Sequence, residues 1–158
     1  MEPVRWLDEE EMRAWRSLVA VSSRLFEQLD AELRHEHDLS LADYEILSNL
    51  SEAPDRRLRM SQLADRALVS RSRLTHHVTR MEAEGLVTRE ACPTDRRGAY
   101  AVLTPAGMAR VEEAAPTHVA GVRRLFVDRL PGAEVPAVAA ALSEVAEPLL
   151  ASDRRTTR

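Results

Sequence analysis

The sequence predicts a mainly α-helical protein that carries one small β-hairpin. Its composition is rich in alanine and leucine, which favour helices. Apolar residues recur every three or four positions through most of the 158 residues, as they do on one face of a helix. The exception lies past the middle of the chain, where a turn-rich stretch separates two short runs of strand-forming residues. A chain of this length can bury a core of its own, or one shared with a second copy.

Two helices are predicted in the first third of the chain, and each has a sequence signal for its start. Asp8 with Glu11 three residues later forms a capping box, and the apolar stripe that follows predicts a helix of about seven turns. Ser40 repeats the capping signal and starts a second helix, which we expect to end at about Glu52.

Two shorter helices with a tight turn between them are predicted in the middle of the chain. They cover residues 60–67 and 71–84, and Gly85 follows the second helix as its left-handed end. Strand-like residues at 86–91 and 99–103 then lie on either side of a basic turn. Two helices joined by a turn and followed by a hairpin form a winged helix-turn-helix, an arrangement that places its second helix in a DNA groove.

The last part of the chain is predicted to be helical again. Thr104 and Pro105 are the N-cap and the first residue of a long helix, in which Pro116 should introduce a kink. The apolar pattern continues this helix to Leu130 and then predicts a last helix from about residue 133 to 150.

The second of the two short helices has one apolar face and one polar face. Leu74, Val78 and Met81 fall on the same side at 3.6 residues per turn, so they must face the core. The opposite face combines hydroxyl groups, arginine and histidine and has no acid until Glu82. In a major groove, arginine can pair with guanine, and hydroxyl groups can reach bases or phosphates. The residues predicted to contact DNA here are Ser70, Arg71, Ser72, Arg73, Thr75, His76, Thr79 and Arg80.

Basic residues before and after these helices extend the predicted DNA surface. The chain has a net charge of -4, but residues 56–97 contain ten arginines and only five acids. Because the Debye length is about 8 Å, such a patch acts nearly independently of distant acids. The guanidinium groups at the hairpin tip suit a narrow minor groove, and a solvated basic surface is the alternative interpretation. The further candidate DNA contacts are Arg59, Ser61, Gln62, Asp95, Arg96 and Arg97, with Asp95 orienting a neighbouring arginine.

The hairpin and its flanks resemble those of MarR-family transcriptional regulators. Residues 95–107 contain an Asp-x-Arg pair, a strand that ends in Leu-Thr, and a helix start with a glycine. Residues 61–64 and 82–89 are also similar to that family, as are the long first helix and the two closing helices. The resemblance implies a homodimer bound to a pseudopalindromic duplex operator, acting as a repressor that a small, often aromatic ligand releases. It implies no cofactor.

Apolar residues near both ends of the chain support the homodimer independently. The stripe along the last two helices, with two tryptophans nearby in the N-terminal arm, is more apolar than two helices at a chain's end need alone, although packing within the chain is the alternative. We therefore expect one MarR-like domain over residues 1–158, with a DNA-binding lobe at 40–104 and a helical dimerisation region formed by 4–39 and 105–150. The predicted interface residues are Trp6, Trp15, Leu125, Phe126, Leu130, Val138, Leu142, Val145 and Leu149.

The histidines and the single cysteine are weaker candidates for a functional site. His35 and His37 project about 200° apart on a helix, so we expect no metal site there. His77 is expected to be partly packed, and His118 is expected at the surface. Cys92 has no second thiol for a disulfide, and its place beside the basic turn leaves a redox-sensing regulator as an alternative function.

Other protein classes fit the sequence less well. It lacks a glycine-rich phosphate loop and a nucleophile elbow, so we do not expect an enzyme. No apolar run approaches the ~18 residues of a membrane-spanning helix and no signal-peptide pattern is present, so we expect a cytoplasmic protein without a membrane partner. An acidic protein-interaction module of winged-helix fold that does not bind DNA is the second alternative function.

Overall fold

The computed structural model describes residues 3–92 and 95–153, with the backbone alone at 95–97 and 152–153. This part of the chain forms six α-helices and a three-stranded antiparallel sheet, so the predicted fold class is confirmed. None of its helices combines the length and the apolar composition needed to cross a membrane. In chain order the elements are α1 (Glu9–His37), α2 (Leu41–Ser51), β1 (Arg57–Arg59), α3 (Met60–Arg66), α4 (Arg71–Ala83), β2 (Val87–Cys92), β3 (Asp95–Leu103), α5 (Pro105–Leu125) and α6 (Val135–Asp153).

The three predicted N-caps are all present. The Asp8 carboxylate accepts a hydrogen bond from the backbone N–H of Glu11 at 2.8 Å, and the Glu11 carboxylate accepts one from the N–H of Asp8 at 3.0 Å. The hydroxyl oxygens of Ser40 and Thr104 each accept from the N–H three residues later, at 3.1 and 3.0 Å. Such caps stabilise a helix start by about 1 kcal/mol each, and they depend on neighbouring residues alone, so the sequence located these helix starts correctly.

The sheet has the strand order β1-β3-β2, and both strand pairs are antiparallel. The β2–β3 hairpin is the predicted one, but β3 begins at Asp95, inside the predicted turn; residues 93–94 lie outside the described part of the chain. No strand is predicted between the second helix and residue 60, but Arg57–Arg59 forms β1. Leu58 is buried and pairs with Ala101. This short strand exists because β3 offers it a partner and a core to cover, which local composition does not reveal.

The core lies between α2, α3, α4, the sheet and the first half of α5. Leu74, Val78 and Met81 are at most 1% exposed, which confirms the predicted inward face of α4. Since this core closes without α6 and without the first half of α1, apolar side chains on those two segments remain uncovered. The other fully buried large apolar side chains are Leu33, Ile46, Leu47, Leu50, Leu63 and Val87.

The end of α5 differs from the prediction. The helix continues through Pro116 but stops at Leu125, and a single 3-10 turn at Val127–Arg129 follows. Leu130, predicted to be helical, has an extended backbone with φ -86° and ψ 136°. It precedes Pro131, and the residue before a proline is driven away from the helical region by contact with the proline ring.

His118 is partly buried, so its expected place at the surface is wrong. Its side chain is 16% exposed, and its ring centroid lies 4.5 Å from that of Tyr44. Burial lowers the pKa of His118, and the Glu45 carboxylate, 3.9 Å from Nε2, only partly opposes this effect. The neutral imidazole is therefore the form that packs between α2 and α5.

Acid should reduce stability through His118. Because its folded-state pKa lies below the unfolded value, the unfolded chain binds the proton more readily, and the stability present above the unfolded pKa is lost as pH falls from that value toward the folded pKa. We expect the free energy of unfolding to drop between pH 8 and pH 5.5 by more in the wild type than in His118→Asn, measured by denaturant titration. The exposed His35→Asn serves as the control, and equal drops in all three proteins would contradict the assignment.

Among the described residues, no three His, Cys, Asp or Glu side chains lie close enough together to hold a metal ion. His37 contacts the protein instead, since its Nε2 lies 2.8 Å from the Thr117 hydroxyl of α5. The guanidinium group of Arg110 donates to the backbone carbonyl of His37 as well. These contacts join the end of α1 to α5.

Candidate nucleic-acid interface

The polar face of α4 points to solvent, as predicted. Ser72, Arg73, Thr75, His76 and Thr79 are all exposed, and none of them is an acid. The inward apolar residues fix the rotation of the helix about its axis, so these five side chains face away from the core. Their face is the surface through which a helix-turn-helix would enter a major groove.

The start of α4 concentrates positive charge. The Ser70 hydroxyl accepts from the N–H of Arg73 at 3.3 Å and lies 3.2 Å from the hydroxyl of Ser72. Arg71 and Arg73 stand in the same turn, where the helix dipole also favours an anion. The first turn of α4 can therefore bind a phosphate while the residues after it reach bases.

Residues from three segments surround one depression beside α4. Arg59, Ser61, Arg71 and Thr75, all predicted contacts, line a cavity of about 360 Å³ together with Met60, Leu74, Gly98 and Ala99. The guanidinium carbon of Arg59 lies 5.7 Å from the Tyr100 ring centroid, a cation-π distance. Gln62, also a predicted contact, accepts from the Arg59 N–H at 3.3 Å and so helps to start α3. The fold thus brings α3, α4 and β3 to one basic surface.

Arg80, also a predicted DNA contact, is exposed but has a partner within the protein. Its guanidinium group donates to the carboxylate of Asp43 in α2, which is fully buried. The Ser40 hydroxyl also donates to Asp43, and Nδ1 of His77 lies 2.7 Å from the same carboxylate. The partial packing predicted for His77 is confirmed. Arg80 keeps 45% of its side chain exposed and also lies 3.9 Å from Glu84, so its charge is largely paired inside the protein.

Asp43 is ionised in this arrangement. Burial alone raises the pKa of a carboxyl group, but here the hydrogen bonds from Arg80, Ser40 and His77 outweigh burial and hold the pKa of Asp43 below its usual value. In the sequence, this part of the chain is recognisable only as a helix start. Its role as a partner of α4 depends on residues 34 and 37 positions away in the chain, so no local pattern could have found it.

Arg89 is a second residue that sequence reasoning missed. From β2 it donates to the Thr79 hydroxyl at 2.6 Å and to the Thr75 carbonyl at 3.2 Å, while its other nitrogen lies 3.6 Å from Glu82. The hairpin therefore supports the exposed face of α4 from one side. Only the net basic charge of the region hinted at such a residue.

The hairpin tip is only partly described. The backbone of Asp95, Arg96 and Arg97 belongs to β3, but their side chains lie outside the described part of the structure, so their DNA contacts stay a prediction. Cys92 ends β2 and is buried. Thiols that sense oxidants need solvent access, so this burial weakens the redox alternative.

Comparison with known proteins agrees with this geometry. A family model described as "MarR family" matches residues 37–98. The transcriptional regulator HosA of Escherichia coli O111:H- is 31% identical over 112 residues, which are 70% of this chain and 81% of HosA. HosA is a transcriptional regulator, which agrees with the expectation that this chain is not an enzyme.

Two solved structures from Streptomyces coelicolor are similar over nearly the whole chain. AbsC, a MarR family transcriptional regulator, is 46% identical with a TM-score of 0.86, covering 92% of this chain and 98% of AbsC. Sco3205, a MarR family transcriptional regulator solved in complex with DNA, is 40% identical with a TM-score of 0.88, covering 92% of both chains. With this identity and coverage, and with a winged lobe that matches the sequence resemblance, the chain belongs to the MarR family of transcriptional regulators.

Proposed function

We propose that the chain represses transcription by binding a pseudopalindromic duplex operator as a homodimer, with α4 of each protomer in the major groove. The observation that carries the proposal is the exposed, acid-free face of α4, which is basic at its start and supported from behind by Asp43 and Arg89. The 40% identical Sco3205 was solved in complex with DNA, which supports the proposal that this chain binds DNA. In a dimer, the two α4 helices would lie about 34 to 36 Å apart, one turn of DNA.

Uncovered apolar surface supports the homodimer. α6 has no buried side chain among those described. Of the predicted interface residues, Leu125, Phe126, Leu130 and Val138 are half-buried, while Trp6, Trp15, Leu142, Val145 and Leu149 are exposed.

More apolar side chains of α1 are exposed than the predicted interface includes. Leu18, Val19 and Phe26 are also exposed there, so the interface would include more of α1 than its first turns. Residues 4–39 and 105–150 would then form the dimerisation region, and residues 40–104 the DNA-binding lobe of a single domain. Covering α1 and α6 with the same helices of a second copy removes the apolar surface from water.

Release by a small ligand follows from the family resemblance. A small aromatic or phenolic molecule would relieve repression if it bound more tightly to a dimer whose α4 helices are wrongly spaced for DNA, since only differential affinity shifts the equilibrium. The chain would need no cofactor for this.

The experiment that tests the proposed function is selection of genomic fragments by the purified protein, followed by salt titration of the enriched duplex. We expect enrichment of a sequence with two related half-sites, and an affinity that falls steeply with salt as counterions are released. Enrichment of no sequence would favour the alternative of a protein-interaction module without DNA binding.

Arg73→Ala and His76→Ala are expected to change which sequences bind. Each should lower operator affinity by about tenfold and relax the preference at one or two base pairs, because these side chains stand on the exposed face of α4. Binding to variant duplexes measures the effect, with Arg24→Ala, an exposed arginine of α1, as the control. A uniform loss across all sequences would mean that the two residues contact phosphates only.

Arg97→Ala is expected to weaken operator binding while leaving the fold and the dimer unchanged. We expect Arg97 to contact a base or sugar in the minor groove, and loss of one such cation per protomer should make the dependence of log K on log salt shallower by about 0.9 per protomer. The exposed Arg13→Ala in α1 is the matched control. Unchanged affinity would remove the hairpin tip from the mechanism.

A further inference from the structure

We propose that Asp43 is a positioning residue for sequence-specific DNA binding: it fixes α4 in the fold and withholds the Arg80 guanidinium from DNA phosphates. This inference rests on the proposed binding of DNA through α4. It assigns a role to a residue of α2 that itself need not touch DNA, because its carboxylate is fully buried.

The first step is geometric. Asp43 receives hydrogen bonds from Arg80 in α4 and from Ser40 at the start of α2, and Nδ1 of His77 lies 2.7 Å from it. His77 and Arg80 are three residues apart, on neighbouring turns of the same helix face. The buried Leu74, Val78 and Met81 set the rotation of α4, and these two polar anchors hold its second half against α2.

The second step connects this anchor to α1. The backbone N–H of Leu41 donates to Asp30 at 2.9 Å, and Arg34 donates to the other oxygen of Asp30 at 2.6 Å. The start of α2, which carries Asp43, is therefore tied to the helix that the proposed dimer uses. The first turn of α2 is thus held by polar contacts on both sides, to α1 through Asp30 and to α4 through Asp43.

The third step concerns charge. Arg80 follows His76 by one helical turn, so it lies at the edge of the face proposed to enter the groove. Its side chain is half-exposed, and outside the Asp43 contact its nearest acid is Glu84 at 3.9 Å, in a solvent-exposed pair that contributes little. Without the Asp43 charge, Arg80 would become a mobile cation beside DNA, able to bind any phosphate. Specificity is a difference between two affinities, so a cation that raises only nonspecific binding lowers it.

The test compares Asp43→Asn with the wild type on the selected operator and on a scrambled duplex of the same length, over a series of salt concentrations. We expect affinity for the scrambled duplex to rise severalfold, its salt dependence to steepen by about 0.9 per protomer, and the ratio of specific to nonspecific affinity to fall by about tenfold. Glu45→Gln removes the same charge from the same helix away from Arg80, and it should match the wild type.

A purely structural role for Asp43 would give a different result. Loss of folded protein weakens binding to both duplexes in the same proportion and leaves the salt dependence unchanged, and that outcome would overturn the proposal. In the double variant Asp43→Asn with Arg80→Gln, the salt dependence on the scrambled duplex should return to the wild-type value, because the released cation is gone.

If Asp43→Asn does not fold, the single variant Arg80→Gln tests whether Asp43 withholds the Arg80 charge from DNA. Since the Arg80 charge is withheld in the wild type, this variant should leave the salt dependence on the scrambled duplex unchanged; a shallower dependence would overturn the proposal. A wild-type protein that binds both duplexes equally would overturn the proposed function and this inference with it. An unchanged affinity ratio in Asp43→Asn would overturn this inference alone.

Discussion

Replacing Leu142 and Val145 of α6 with glutamate is expected to convert the proposed dimer into monomers and to lower operator affinity by more than about a hundredfold. Both side chains are exposed and lie on one face of α6. Burying two carboxylates in an apolar interface costs several kcal/mol each, more than such an interface can offset. A monomer binds one half-site with one α4 helix. It loses the affinity that a dimer gains when its second α4 helix is held close to the second half-site.

Light scattering after size exclusion measures the dimer, and a duplex titration measures the affinity. Ala140→Glu is the matched control, because Ala140 is exposed on the opposite face of α6 and places the same charge away from the interface. If the double variant stayed dimeric, α6 would not form the interface, and the apolar stripe would need to pack within its own chain.

Gly107→Ala is expected to destabilise the fold by about 3 kcal/mol, the upper part of the range for inserting a methyl group into a closely packed site. A Cβ at Gly107 would lie 2.1 Å from the backbone oxygen of Leu86 and 2.6 Å from Cδ1 of Leu103. The first of these atoms is backbone at the root of the hairpin, where the Thr104 hydroxyl donates to the same Leu86 oxygen at 3.0 Å. Relief therefore requires α5 and β2 to move apart.

Thermal and denaturant unfolding at equal protein concentration measure this effect, since the stability of a dimer depends on concentration. We expect a melting temperature lower by about 6 to 12 °C for a domain of this size. Gly132→Ala is the control, because a Cβ there meets no atom within 4 Å. Equal stability of the two variants would mean that the hairpin root is not rigid.

The elements that sequence analysis predicted correctly depend on short-range signals. Asp8, Ser40 and Thr104 each bind an N–H a few residues later, so composition and spacing are enough to locate the helix starts. The inward face of α4 followed from helix periodicity alone. The same periodicity failed at Leu130, where the following proline overrode it.

The residues that were missed or misplaced depend on partners far along the chain. β1 forms by pairing with β3, and the His118 ring is buried against Tyr44. Arg80 donates to Asp43, which is 37 residues away in the chain. A one-dimensional pattern shows that Arg80 lies on the polar side of α4, but it does not show that a buried carboxylate already holds the guanidinium group. The contact with DNA is thus the part of the candidate site for which tertiary structure changed the interpretation most.

Capping, periodicity and a contiguous motif are local signals, and from them the helices, the hairpin, the exposed face of α4 and the resemblance to the MarR family could be read in the amino-acid sequence. Which cations are paired, which histidines are buried and which apolar faces remain uncovered became visible in the folded chain alone. Burial and ion pairing depend on distances between segments, and these distances exist only after the chain has packed.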